Sequence, residues 1–356
     1  MQTNAIVVLT LAATALVVSA QQPKVTNTQL HTTPLSMGLS ATVDRFRQSH
    51  GPLWLGYAVQ ALPRTHLSAC SSWPQSSDVE SGCCDEIRLE DTGDHMNTST
   101  QADLPAPMVA VLVRVDQGEV MKIRMAPAGC TLNAGGVSFE WLTGVQAEES
   151  AALLGKMAAG AAAFGEDRRR LLDESLVALS MHATPKATEV LASLATDSNA
   201  HLREKAAFWL GAQRGHDGLV ALRRLLGSEQ DSKLREKLAF DLSINSDPGA
   251  VGDLIELAKT DNDSRVRSQA LFWLAQKAGK KAVGALHEAI ENDPDLEVKK
   301  KAVFALSQLP KDESVPQLVH VADTNRNFTI RKEAIFWLGQ SNDPRALAYI
   351  EQVLKR

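Results

Sequence analysis

The chain has 356 residues, with 42 acidic against 37 basic side chains and a net charge of −5. That length is material for two domains at about 100–200 residues each. The mildly acidic balance gives nucleic acid or an anionic membrane surface no electrostatic hold, so neither is expected as a partner. Apolar residues at 44% and charged ones at 22% exclude a disordered or fibrous chain, and aromatics at 5% suit a helical array better than a large antiparallel β-protein.

Residues 5–18 are apolar except for Thr10 and Thr14, and Val18-Ser19-Ala20 supplies the small residues of a cleavage site. The run is shorter than the roughly 20 residues a membrane-spanning helix takes. Residues 1–20 are therefore expected to be a signal peptide, with Gln21 as the mature start and a periplasmic or secreted location. Met1 to Asn4 depart from the pattern in carrying no Lys or Arg. No later run is long and apolar enough to span, so no transmembrane segment is expected after cleavage. Residues 21–39 are rich in Thr and Gln and are expected to be flexible.

Residues 40–146 read as a small antiparallel β-domain. The run Leu53-Trp54-Leu55-Gly56-Tyr57-Ala58-Val59 between Pro52 and Pro63 has the look of a buried strand. Residues 108–115 and 119–125 are β-rich and flank Asp116-Gln117-Gly118, a three-residue hairpin loop. Residues 137–142 alternate and add a strand. Residues 68–107 are polar, with scattered Pro and Gly, and are expected to be a loop region pinned by disulfides. Cys70, Cys83, Cys84 and Cys130 all lie in the first 130 residues, an even count that suits an exported chain. A bond between neighbours Cys83 and Cys84 would be strained, so each is expected to reach Cys70 or Cys130, in an order left open. The paired CxxC-type spacing of a metal site is absent.

Residues 151–356 repeat themselves. The segment Leu202-Arg203-Glu204-Lys205-Ala206-Ala207-Phe208-Trp209-Leu210 recurs from Leu234-Arg235, Val266-Arg267, Val298-Lys299 and Ile330-Arg331, each copy 32 residues after the last. Such a register without insertions means a solenoid or array. Leu202, Ala206 and Leu210 share one face of a helix. A preceding helix keeps the same spacing through Leu222, Leu254, Leu286, Leu318 and Ile350. Between the helices lie acidic or amide turns whose side chains cap the next helix. The pairs Asp197/Arg203, Glu229/Arg235, Asp261/Arg267, Asp293/Lys299 and Asn325/Arg331 put a basic residue inside the apolar arc. An unpaired charge there is costly, so a ladder of contacts between stacked repeats is expected.

Phe208, Phe240, Phe272, Phe304 and Phe336 recur without substitution. They lie about 200° from the apolar stripe on the helical wheel. They either wedge between successive helices or line the concave face as contacts for a partner. The next position, Trp209, Asp241, Trp273, Ala305 and Trp337, varies, which makes the tryptophans the better candidates for tuned contacts.

The turn Asp followed by [Leu/Val/Ile]-Arg-x-x-Ala-x-Phe-Trp-Leu resembles the HEAT repeat of bacterial phycobilisome-lyase-like HEAT proteins, over residues 167–356. The first copy is degenerate, with Leu172 at the basic position, as in a cap that faces a different neighbour. The fold class is then α+β: an α-solenoid of HEAT-like hairpins over 147–356, preceded by the small β-domain. The resemblance to bilin lyases implies attachment of a bilin to a partner Cys. Only the scaffold residues match, however, and an exported chain would not meet cytoplasmic phycobiliproteins.

GxSxG, HExxH, P-loop and dinucleotide motifs are absent. Gly135-Gly136 lacks the P-loop Lys and reads as a plain turn. His287-Glu288 is a single pair, and a dinuclear metal site needs more converging ligands. The expectation is a non-catalytic scaffold without cofactor or metal, binding a protein or peptide outside the cytoplasm. The alternative is an enzyme or lyase-like cofactor-attachment factor with its site in the β-domain or at the junction with the repeats. A cluster of His50, His66 and Cys70 would favour it.

Overall fold

Strand signals give way to helix signals near residue 146 in the sequence, and in the computed structural model the last strand ends at Thr143 and the run of helices begins at Ala147. It describes residues 22–48, 51–63, 65–68, 86–91, 97–100 and 108–355. The signal-peptide reading of 1–20, together with His50, Cys70, Cys83, Cys84 and the side chain of His66, lies outside the described residues. Cys130 is buried and disulfide-bonded.

The N-terminal part runs β1 (Val25–Thr26), β2 (Leu30–Pro34), α1 (Leu39–Arg47), β3 (Leu53–Gln60), β4 (Thr65–Ser68), β5 (Glu86–Arg88), β6 (Asn97–Thr100), β7 (Met108–Asp116), β8 (Glu119–Pro127), β9 (Thr131–Asn133) and β10 (Ser138–Thr143). Five strands form a sheet in the order β2-β10-β3-β7-β8, three form β1-β9-β5, and β4 pairs with β6. The sheet expected to be antiparallel is mixed: β10 runs parallel to β2 and to β3, while β3, β7 and β8 are antiparallel. The segment expected to be flexible carries β1 and β2, and β2 is zipped to β10 from Leu30 opposite Phe139 to Pro34 opposite Thr143. The hairpin loop is two residues rather than three. Gln117 and Gly118 both take left-handed φ, 49° and 81°, the conformation whose twist matches the flanking strands.

The unbroken apolar runs of β3 and β7 follow from burial on both faces. Leu55, Tyr57 and Val59 with Val109, Val111 and Val113 join the core under the helices, whereas Trp54, Ala58, Ala110 and Leu112 face Leu89, Leu132 and Trp141 on the other side. Gly56 is required at its position, because a Cβ there would stand 2.8 Å from the Trp141 ring.

The helical part runs α2 (Ala147–Ala162), α3 (Arg169–Ser180), α4 (Pro185–Leu194), α5 (Ala200–Gln213), α6 (Gly215–Ser228), α7 (Ser232–Ile244), α8 (Ala250–Thr260), α9 (Ser264–Ala278), α10 (Val283–Asn292), α11 (Leu296–Ser307), α12 (Lys311–Thr324), α13 (Phe328–Gln340) and α14 (Pro344–Leu354). The second helices α5, α7, α9, α11 and α13 pack one on the next. Their Leu210, Leu242, Leu274, Leu306 and Leu338 are buried.

The turns carry a two-step relay. Asp197, Glu229, Asp261, Asp293 and Asn325 each accept the backbone N–H two residues on. The residue so held, Asn199, Asp231, Asp263, Asp295 or Asn327, then caps the second helix. Each side chain satisfies one of the donors a helix start leaves open. Among the described residues no helix is long and apolar enough to cross a membrane.

Candidate functional site: a ring-lined helix face and a junction cavity

The ladder closes at two rungs. Arg235 donates to both carboxylate oxygens of Asp261 at 2.8 and 3.0 Å, and Arg267 to both of Asp293 at 2.8 and 2.9 Å. Each bridge joins a second helix to the turn of the following repeat. The same arginines hold their own turn, Arg267 through the carbonyl of Asp261 at 2.8 Å. A bidentate fork needs a guanidinium facing a carboxylate; the rung from Lys299 to Asn325 has neither, and at the rung from Arg203 to Glu229 the two do not meet. Glu229 turns to the N–H of Asp231, and Arg203 Nε is left buried without a partner among the described residues. Lys299 turns to the carbonyl of Glu291, and Asn325 donates to the Glu291 carboxylate. Arg331 grips the carbonyls of Asn325 and Arg326 in its own turn.

All eight rings singled out in the sequence form one continuous row. From Trp209 it passes to Phe208 at 5.0 Å, Phe240 at 6.3 Å, Trp273 at 4.8 Å, Phe272 at 4.9 Å, Phe304 at 6.0 Å, Trp337 at 4.9 Å and Phe336 at 5.0 Å. Most are half-buried, and Phe336 is 52% exposed. The rings thus pack on one another and still present surface, between the two arrangements open from sequence.

The position after the phenylalanine does not vary freely. It alternates Trp, Asp, Trp, Ala, Trp, and the contacts alternate with it. Phe stacks on Phe from α5 to α7 and from α9 to α11, whereas a Trp takes the contact from α7 to α9 and from α11 to α13. Asp241 is therefore a carboxyl in a tryptophan's place. It is 3% exposed, and burial pushes its pKa up to about 8. Sequence reading passed over it, although the lone acid in that column was the available signal.

A cavity of about 630 Å³ opens where β8, α3 and Trp209 meet. Arg124, Arg169, Arg170, Glu166, Asp173 and Glu174 line it. Glu174 accepts from the Ile123 N–H at 2.7 Å and from Arg170 at 2.8 Å, while burial raises its pKa. Asp173 Oδ1 and His201 Nε2 stand 3.4 Å apart, both buried without a hydrogen bond among the described residues.

Deeper at the same junction, Tyr57, Ser150 and His182 form a chain at 2.9 and 2.7 Å, and His182 Nδ1 donates to the carbonyl of Ala178 at 2.7 Å. His182 is fully buried, and desolvation lowers its pKa to about 4. A Ser–His pair that no substrate can reach is a joint between sheet and helices. Nothing in the sequence pairs these residues. His287, singled out in the sequence, meets Gln317 at 2.7 Å, and Glu288 pairs with Lys259 at 2.6 Å.

Residues 251–336 match the HEAT repeats model, and residues 330–356 match the PBS lyase HEAT-like repeat. No curated protein matches the chain. Similar solved structures include human deoxyhypusine hydroxylase, 19% identical over 58% of this chain and 90% of that one, with a TM-score of 0.32. An engineered protein is 21% identical over 59% and 93%, with a TM-score of 0.29. The CpcE–CpcF complex of phycocyanin lyase from Nostoc sp. PCC7120 is 18% identical over 58% and 86%, with a TM-score of 0.26. Two of the three are enzymes, which corrects the expectation of a chain without catalytic activity: the fold does not exclude catalysis. At such identities and scores the likeness assigns no activity to this chain. Residues 251–356 thus carry HEAT repeats, and the helical part is an α-solenoid of helical hairpins.

Proposed function

We propose that the chain binds a protein or peptide along the face of its second helices, and that it does so outside the cytoplasm. The observation that carries this is the unbroken row of rings from Trp209 to Phe336, half-buried and still presenting surface. Aromatic side chains dominate protein interfaces because they offer large apolar area at little entropic cost. Solenoids present long surfaces of this kind. The location rests on the apolar 5–18 run and its cleavage site. N-terminal sequencing of the expressed protein should then begin at Gln21.

The binding face is tested with a photo-crosslinking residue in place of Phe336, the most exposed ring. A partner captured by that protein should be lost with Trp273→Ala and kept with Arg224→Ala, since Arg224 is an exposed residue of α6. Equal capture by both variants would reject the face.

The junction cavity supports a second reading, a small-molecule site that includes the lyase-like alternative. Its volume falls within the range of about 300–1,000 Å³ usual for ligand pockets, and its six charged side chains converge beside one indole. Quenching of Trp209 fluorescence by a ligand, abolished by Arg169→Ala, would establish it.

A further inference from the structure

The ring-lined face changes sign along its length. The residue after the ladder base is Glu204 on α5, Glu236 on α7, Ser268 on α9, Lys300 on α11 and Lys332 on α13. Glu204 pairs with Lys237, and Glu236 with Arg265 at 3.6 Å. At the other end Lys300 pairs with Glu297 at 2.8 Å. Lys301, with Nζ 5.7 Å over the Phe304 ring, and Lys332 are exposed and make no ion pair among the described residues. Lys332 stands one helical turn before Phe336, the last ring of the row. It also lines a cavity of about 490 Å³ between α12, α13 and α14, whose apolar walls are Ile335, Tyr349 and Val353 and whose second cation is Arg331. Arg331 is set as in the closed rungs, but without their carboxylate. Arg267 holds its own turn through Nη1 and forks Nε and Nη2 onto Asp293. Arg331 holds its turn through Nη1 at 2.9 and 3.1 Å and lies 5.7 Å over the Phe328 ring, and its Nε and Nη2 meet no acceptor among the described residues. The acids at this end are engaged, Asp323 with the Tyr349 hydroxyl at 2.9 Å and Glu333 with the Trp337 indole at 2.8 Å.

We propose that this cavity receives an aspartate or glutamate side chain of the partner protein, so that the segment lying on the row of rings has its acidic end over α11 and α13. The proposal rests on the binding-face reading. The guanidinium selects the group. A planar fork of two N–H donors matches a carboxylate, and the chain itself fills that fork with Asp261 at Arg235 and with Asp293 at Arg267. A guanidinium that lies on an aromatic face keeps its edge donors available, which is the position of Arg331 over Phe328. The apolar walls take the methylene stem of the acid and the residue beside it. Lys301 and Lys332 then favour further acids along the segment, and complementary charge of this kind fixes the direction in which a partner lies. A basic segment would meet like charge there and be turned away.

The probes are two peptides with the same N-terminal fluorophore, Glu-Glu-Leu-Phe-amide and Gln-Gln-Leu-Phe-amide, titrated with the full chain at low ionic strength and followed by anisotropy. The glutamate peptide should bind about tenfold more tightly, as expected of a charge-assisted hydrogen bond, and added salt should narrow the margin. Lys332→Gln changes an exposed side chain and should cut the margin by about threefold, the scale of an exposed ion pair. Arg331→Gln added to it should remove the margin, whereas Arg224→Gln should keep it. Equal binding of the two peptides, binding of neither, or a margin that survives the double variant overturns the proposal. So does a margin lost equally with Arg224→Gln. If the margin is absent while Trp273→Ala still abolishes partner capture, the binding face stands and the acidic-residue pocket falls.

Discussion

Arg267 shows how one side chain serves two repeats. It is 7% exposed, forks onto Asp293 of the next repeat and holds the carbonyl of Asp261 in its own. Arg267→Met would strand the buried Asp293 carboxylate. The expected loss is about 3–5 kcal/mol, the range for breaking a buried pair on one side. Arg224→Met, on the exposed face of α6, should stay within about 0.5 kcal/mol. Urea unfolding of the two variants checks this, and equal midpoints would make the ladder a surface feature.

Two buried titratable residues should pull stability in opposite directions with pH. The His182 pKa falls from 6.5 to about 4 on folding. Its contribution is complete above 6.5 and is lost as the pH drops toward 4. Asp241 rises from 3.8 to about 8, so its contribution is complete below 3.8 and is lost as the pH climbs through 8. Between pH 4 and 6.5 the two slopes offset each other. The stability gained by Asp241→Asn over the wild-type chain should therefore grow with pH from about 4 to 8, by on the order of 5 kcal/mol. Chemical unfolding at a series of pH values measures it, and a flat difference would mean the carboxyl titrates as in water.

Among the elements, the second helices combine two demands on one surface. Their leucines face the core, and their phenylalanines fill the seam between one second helix and the next. A fully buried Phe→Ala costs about 3–5 kcal/mol, and Phe272 is half-buried with ring contacts to Trp273 and Phe304. Phe272→Ala should cost about 2 kcal/mol, while Phe336→Ala, 52% exposed at the end of the row, should cost less than about 1 kcal/mol. Melting of the pair decides it, and equal losses would contradict the difference in packing. The alternation of Trp with Asp or Ala means that successive seams are not equivalent. The repeating unit of the surface is two hairpins, although the repeating unit of the core is one.

At the scale of the whole molecule, sheet and repeats share a core. Tyr57 of β3, Leu154 of α2 and Leu176 of α3 belong to the same buried cluster as Leu202 of α5. The β3 end is also tied to the α3–α4 turn, by Leu62 N–H to the Met181 carbonyl at 2.8 Å and Ala183 N–H to the Gln60 carbonyl at 2.9 Å. Arg214 closes the joint, donating to the carbonyls of Ser180, His182 and Thr184 and to the Thr188 hydroxyl. Hydrogen exchange should therefore find β3, β7 and α2–α4 opening together at one free energy. α14, with Leu347 and Leu354 exposed, should open at a lower one. Separate opening of β3 and α3 would refute a common core.

The sequence by itself determined the repeats, their 32-residue register, the turn caps and the eight rings, because each is set by local periodicity that a helix reads from its own residues. It also placed β3, β7, β8 and β10. Only the tertiary structure decided that β10 runs parallel to its neighbours, that residues 25–34 are built into sheets, and that two rungs of the ladder close while the others do not. Pairing direction and rung closure depend on groups tens of residues apart, whose distance no local pattern records. The same holds for His182 and Asp241. The column marks Asp241 as the lone acid and nothing marks His182, but for both it is chiefly burial by distant elements that moves the pKa, up for one and down for the other.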